Sequence, residues 1–151
     1  MPYMLVKLYD MPDLAPLIEQ QKAAGIEIRR PFVTEKHTFV SWVHNKFGDG
    51  PADECEVAFS RSPISCFVAI KDENIIGFAC YDVINKDFYG PIGVAKSFRG
   101  KDIGKALLLS CLHAMAEEGY AFAVIPTNSE EGFYLKTVNN LILKVQMEGF
   151  I

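Results

Sequence analysis

Two rhythms of apolar and polar residues run along the chain and divide it into helices and strands. Ile103, Ala106, Leu107, Ser110, Cys111, Ala114 and Met115 recur every three or four positions, the spacing of one helical face, and the run stops at Gly119. The same spacing groups Leu14, Leu17, Ile18 and Gln21 and predicts a helix over residues 13–24, with Gly25 just past its end and Pro16 disturbing its first turn. A second helix is expected from Thr34, a good N-cap residue, through Phe39, Val40, Val43 and Phe47 to Gly48. Shorter apolar runs predict strands over residues 4–9, 66–70, 75–83, 88–95, 120–125 and 141–147. Lys71-Asp72-Glu73-Asn74 joins two of these as a hairpin. Within 88–95, Gly90, Pro91 and Gly93 suit a regular strand poorly and predict a bulge or a close backbone approach. Gly48-Asp49-Gly50-Pro51 reads as a turn, residues 52–61 fit helix and strand equally, and 131–138 reads as a short helix.

Mixed strands and helices without a repeat indicate an α/β (α+β) fold. The length of 151 residues predicts one domain, 1–151, and half the residues are apolar, enough for a core without disulfide or metal staples. Charged residues at 23% and aromatic residues at 12% exclude a disordered or fibrous chain. The net charge of −4 argues against a general nucleic-acid binder, which needs excess Lys and Arg against phosphates. Residues 1–7 lack the basic stretch, apolar run and cleavage site of a secretory leader, and the apolar run 106–116 is too short to span a bilayer. Cys55, Cys66, Cys80 and Cys111 are widely spaced with no Cys-x-x-Cys, which fits isolated buried thiols of a reducing, cytoplasmic setting.

The chemistry concentrates in Val94-Ala95-Lys96-Ser97-Phe98-Arg99-Gly100-Lys101-Asp102-Ile103-Gly104-Lys105-Ala106-Leu107. A strand runs into a basic, Gly-containing loop that opens directly into the strongest helix. The first N–H groups of a helix lack partners and carry partial positive charge, so they attract anions. Arg99, Lys101 and Lys105 add cations, and Gly100 and Gly104 let a ligand near the backbone, so a pyrophosphate suits the loop. A solvated strand-to-helix turn would carry the same spacing. Two nucleotide motifs fail here. A Walker loop would need Gly at position 99 and a hydroxyl at 106, where the chain has Arg and Ala, and no Gly-x-Gly-x-x-Gly occurs.

Residues 94–107 resemble the acetyl-CoA-binding motif of the GNAT superfamily of N-acetyltransferases, [Arg/Gln]-x-x-Gly-x-[Gly/Ala]. Arg99 supplies its first position and Gly104 its last, while Asp102 stands where the family usually has glycine. The order of elements agrees along nearly the whole chain. The resemblance implies a central, mostly antiparallel sheet of six to seven strands with about four helices, splayed at the strand that binds acetyl-CoA. It implies that Ile92, Gly93 and Val94 pair with the pantetheine arm and that the Val94 N–H polarises the thioester carbonyl. The pyrophosphate would lie over Arg99, Gly100, Lys101, Asp102, Ile103, Gly104 and Lys105. Asn128 would contact the pantetheine arm. Tyr134, in a Phe133-Tyr134 pair, would be the general acid that protonates the departing thiolate. Asp102 is expected to cap the helix at Ile103 rather than face the pyrophosphate.

The implied activity is acetyl transfer from acetyl-CoA to a primary amine of a small molecule or protein, by direct attack on the thioester, with no metal; a small-molecule amine or a peptide is the expected substrate. The runner-up is a non-catalytic acyl-CoA-binding module, and a third reading is an interaction protein that keeps only the fold. No general base stands out: Asp82 and Asp87 are the carboxylates nearest the motif strand, and water could serve instead. His37, His44 and His113 form no metalloprotease motif. No nucleic-acid or membrane partner is expected. A homodimer is an open expectation, since family members often dimerise.

Overall fold

The structure is a computed structural model, and it describes residues 3–126 together with the backbone of 142–143. The chain forms β1 (Tyr3–Lys7), α1 (Ala15–Ala23), β2 (Ile26–Arg29), α2 (Lys36–Phe47), α3 (Asp49–Ala58), β3 (Cys66–Lys71), β4 (Asn74–Tyr81), β5 (Tyr89–Val94), α4 (Ile103–Glu117), β6 (Phe122–Pro126) and β7 (Ile142–Leu143). Pro16 sits in the first turn of α1, where its missing N–H costs nothing. Asp72 and Glu73, both left-handed (φ 50 and 65), make the two-residue hairpin turn between β3 and β4.

Two expectations change. Residues 26–29, which carried no prediction, form β2 on the edge of β3; with only Ile26 and Ile28 apolar, so short an alternation shows little without its partner. The turn expected at 48–51 is the start of α3 instead. Gly48, at φ 96, separates α2 from α3, and Pro51 falls in the first turn. Ala52, Cys55 and Ala58, three residues apart, are buried and decide the helix–strand ambiguity for helix. The expected sheet is splayed at β5, as the resemblance implied, and so forms two parts. One sheet has the order β2-β3-β4-β5 and the other β6-β1-β7, each antiparallel. The helix expected over 131–138 lies outside the described residues.

The division has a physical cause in β5. Its register against β4 shifts between Ala79 and Tyr81, so Gly90-Pro91 forms the expected bulge. Between β5 and β6 the described residues show one parallel bridge, Phe88 to Val124, where the Val124 N–H donates to the Asp87 carbonyl at 3.0 Å. Past that bridge the two strands separate.

Alternation along β4 sends Phe78 and Cys80 to one face and Ala79 and Tyr81 to the other. The first face packs against Phe39, Val43, Ala52, Cys55 and Ala58 of α2 and α3. The second packs against Ile103, Leu107, Leu108, Leu112 and Met115 of α4, which also touches Met4, Val6 and Ile125 of the second sheet. Helix α4 is therefore buried on nearly every side, beyond the single stripe its periodicity suggests. All four cysteines are free and buried.

The loop from β4 to β5 holds an acidic pair. Asp82 accepts from the Asp87 N–H at 2.7 Å and from the Tyr120 hydroxyl at 3.1 Å. Burial, with Asp82 beside it, pushes the Asp87 carboxyl up to about 6. Its ordinary value is 3.8, so the folded state holds this proton to higher pH than the unfolded chain. The contribution of Asp87 to stability is full below that ordinary value and is lost as pH rises through the folded one. Asp87→Asn keeps a residue that tolerates the left-handed backbone at φ 67. After allowance for solvent screening, it should stabilise the protein by about 1 kcal/mol at pH 8 and change little at pH 4, as urea midpoints would show.

Candidate functional site

The site begins on the outer edge of β5. The Ala95 N–H donates to the Ile76 carbonyl at 2.8 Å, and Gly93 lies opposite Phe78. In an antiparallel ladder every second residue turns its N–H and C=O toward the partner strand. Gly93 and Ala95 therefore face β4, while Ile92 and Val94 turn their backbone groups to the open side of the splay. The Val94 carbonyl accepts from Arg99 Nε at 3.1 Å, and the Val94 N–H has no partner among the described residues. Of the three residues expected to pair with a ligand strand, Gly93 is the correction. Its backbone is turned inward, and a Cβ there would lie 2.6 Å from the Phe47 ring, so its glycine serves packing against α2.

After β5 the chain makes a single turn over Lys96–Phe98, and Arg99 is extended. Gly100 is left-handed at φ 79, an angle that favours glycine, and a Cβ there would meet no protein atom within 4 Å. Helix α4 starts at Ile103, and the Ala106 N–H makes its first helical bond to the Asp102 carbonyl at 3.0 Å. The N–H groups of Ile103, Gly104 and Lys105 are left without helical acceptors. Arg99, Lys101 and Lys105 are exposed around them, with the Lys101 ammonium 5.3 Å from the Phe98 ring centre. The Ile103 side chain is buried in the core, so only its backbone can serve the loop.

Asp102 does not cap α4. Its backbone is left-handed (φ 63, ψ 14) and its side chain bonds no helix N–H; Gln20 Nε2 meets its carboxylate at 3.4 Å instead. A cap residue must be extended for its side chain to reach back to the helix, which this conformation prevents. The same angles explain why glycine suits the position. Asp102→Gly should raise stability by up to about 1 kcal/mol by removing left-handed strain, an effect thermal melting would detect.

Two residues escape sequence reasoning, the first of them beside the loop. Gln21 of α1 donates from Nε2 to the Lys101 carbonyl at 3.0 Å; its signal was a polar residue on the apolar face of a helix. Glu54 looks like part of a solvated charge run. Yet α3 turns Cys55 to Cys80, with sulfurs 3.8 Å apart, and Glu56 toward Lys36 of α2 at 3.7 Å. A step of about 100° per residue puts Glu54 on the flank opposite Glu56, away from α2. Burial, then the neighbouring Asp53, raises its carboxyl above the ordinary range. Asn128 and Tyr134 lie outside the described residues. Among the described residues no cluster of His, Cys, Asp and Glu could hold a metal, and no helix is long and apolar enough to cross a membrane.

The sequence profile of the acetyltransferase (GNAT) family matches residues 27–137. No curated protein sequence matches the chain. Solved structures share the fold. The glucosamine N-acetyltransferase region of a fungal multi-domain beta-N-acetylglucosaminidase superposes with a TM-score of 0.70 at 13% identity, over 90% of this chain and 19% of that one. An N-acetyltransferase from Thermoplasma acidophilum in complex with coenzyme A gives 0.55 at 20% identity, over 74% of this chain and 87% of that one. An aminoglycoside N-acetyltransferase in complex with CoA gives 0.57 at 21% identity, over 80% and 91%. Among the first matched structures the chain spans only 19% to 45% of the partner's length.

Proposed function

Since the chain belongs to the GNAT acetyltransferase family, we propose that it moves an acetyl group from acetyl-CoA to a primary amine of a small molecule or protein. The observation that carries this reading is the edge of β5, open among the described residues with its Val94 N–H unpartnered there, leading within one short loop to the N–H groups at the start of α4 that lack helical acceptors. That edge fits the pantetheine arm as an added strand. The start of α4, with Arg99, Lys101 and Lys105 around it, fits the pyrophosphate. Val94 N–H polarises the thioester carbonyl, a one-donor oxyanion site. The amine nitrogen attacks that carbon, the C–S bond breaks, and Tyr134 protonates the leaving thiolate. Asn128 contacts the pantetheine arm. The amine proton leaves to water.

The acceptor enters beside α1 and α2. The net charge of −4 and the four free, buried thiols support a cytoplasmic enzyme that uses neither nucleic acid nor a membrane.

A screen for free thiol release from acetyl-CoA over amines, amino acids, polyamines and peptides tests the proposal. Acetyl-CoA at a hundredfold excess over Kd should also add about 2.7 kcal/mol of stability. Stabilisation without thiol release from any amine would favour an acyl-CoA-binding module, a reading that the carboxylate of Asp102 at the family's glycine position supports. No melting shift at millimolar acetyl-CoA would remove the donor assignment. Asp102→Gly, which deletes a negative charge beside the loop, should tighten CoA binding about two- to threefold in calorimetry, the scale of an exposed charge interaction.

A further inference from the structure

Gln21 is 2% exposed, on a helix whose neighbouring inward residues, Leu14 and Leu17, are apolar. Burying a primary amide is unfavourable unless its polar atoms are used. Here one is: Nε2 donates to the Lys101 carbonyl, while Oε1 is buried without a partner. A leucine would fill the space without the stranded oxygen, so the amide needs a reason in the loop it holds.

Lys101 stands between two left-handed residues, Gly100 at φ 79 and Asp102 at φ 63. The carbonyl of Lys101 and the N–H of Asp102 belong to one trans peptide and point in opposite directions. Holding that carbonyl against α1 therefore turns the Asp102 N–H away from α1, and that N–H has no acceptor among the described residues. Gln20, the neighbouring residue, draws the Asp102 carboxylate toward α1 as well. Both negative ends of the turn are kept on the α1 side, and the N–H end is left beside the free N–H groups of α4.

We infer that Gln21 is a positioning residue that aims the Asp102 N–H into the anion site at the start of α4, so that α1 pre-forms the pyrophosphate loop. The inference rests on the proposed use of CoA. Successive N–H groups turned to one side by left-handed residues form a concave nest for an anion. A preset peptide contributes its hydrogen bond without reordering the loop on binding.

Gln21→Met keeps the length and packing of the side chain and removes the donor. Its Kd for CoA by calorimetry should rise about tenfold, the scale of one hydrogen bond to a charged group, and the KM for acetyl-CoA should rise with it. S-acetylpantetheine carries no pyrophosphate, so its kcat/KM should move far less than that of acetyl-CoA. A purely structural role would depress both donors alike, and that outcome overturns the inference, as does unchanged CoA affinity. A second measurement uses the wild-type protein alone. On addition of CoA, hydrogen exchange at the Asp102 amide should slow together with that at Ile103, whereas slowing at Ile103 alone overturns the inference. Failure of the wild-type protein to bind CoA overturns the donor reading and this inference with it, whereas normal binding by Gln21→Met overturns this inference alone.

Discussion

Replacing Gly93 by alanine should destabilise the protein by about 2–3 kcal/mol, the upper range for overpacking a filled core. The added Cβ would lie 2.6 and 2.8 Å from two atoms of the Phe47 ring and 2.8 Å from the Phe78 ring. Phe78 cannot yield. It is fully buried, and Phe39, Trp42 and Phe47 all pack against it with ring centres 5.7 to 6.3 Å away. Relief must come from Phe47 swinging out or from β5 shifting away from α2. The second route moves Val94, next along the strand, so acetyl-CoA binding should weaken in parallel with the fall in urea midpoint. Wild-type stability for Gly93→Ala would show that the end of α2 does not press on β5 in solution.

Tyr134→Phe should lower kcat by roughly a hundredfold, the lower end of general-acid contributions. A phenol with a reference pKa of about 10 keeps its proton at neutral pH and can give it to a departing thiolate. Removing only the hydroxyl should leave the acetyl-CoA KM and the melting temperature nearly unchanged, which places the loss in the transition state. The position of Tyr134 in a Phe-Tyr pair shortly after β6 is what motivates the assignment. Wild-type turnover in a step limited by chemistry would leave the thiolate to depart without it.

How much was legible varies with how local the cause is. Helix α4, the β3–β4 hairpin and the bulge in β5 were readable because their signals sit in adjacent residues: a periodic face, two residues in a tight turn, a Gly-Pro pair. Helix α3 was ambiguous because its small buried residues, Ala52, Cys55 and Ala58, show a pattern only when a sheet lies beneath them. Strand β2 was invisible for the converse reason, since its four residues become a strand only by pairing with β3. The loop ahead of α4 was legible as a composition of Gly, Lys and Arg before a helix. Its internal orientation was not, because the residue that holds Lys101 is 80 positions away in the chain.

The sequence by itself determined the order of the elements apart from β2 and α3, the family resemblance and the basic, Gly-containing loop ahead of α4. All of these follow from interactions between residues close in the chain or from one contiguous motif. The tertiary structure alone decided that Gly93 faces Phe47 while the Val94 N–H faces the opening, and that Asp102 is held by α1 instead of capping α4. Each of these depends on which distant segment occupies the space beside a residue, and a one-dimensional pattern of polarity does not encode it.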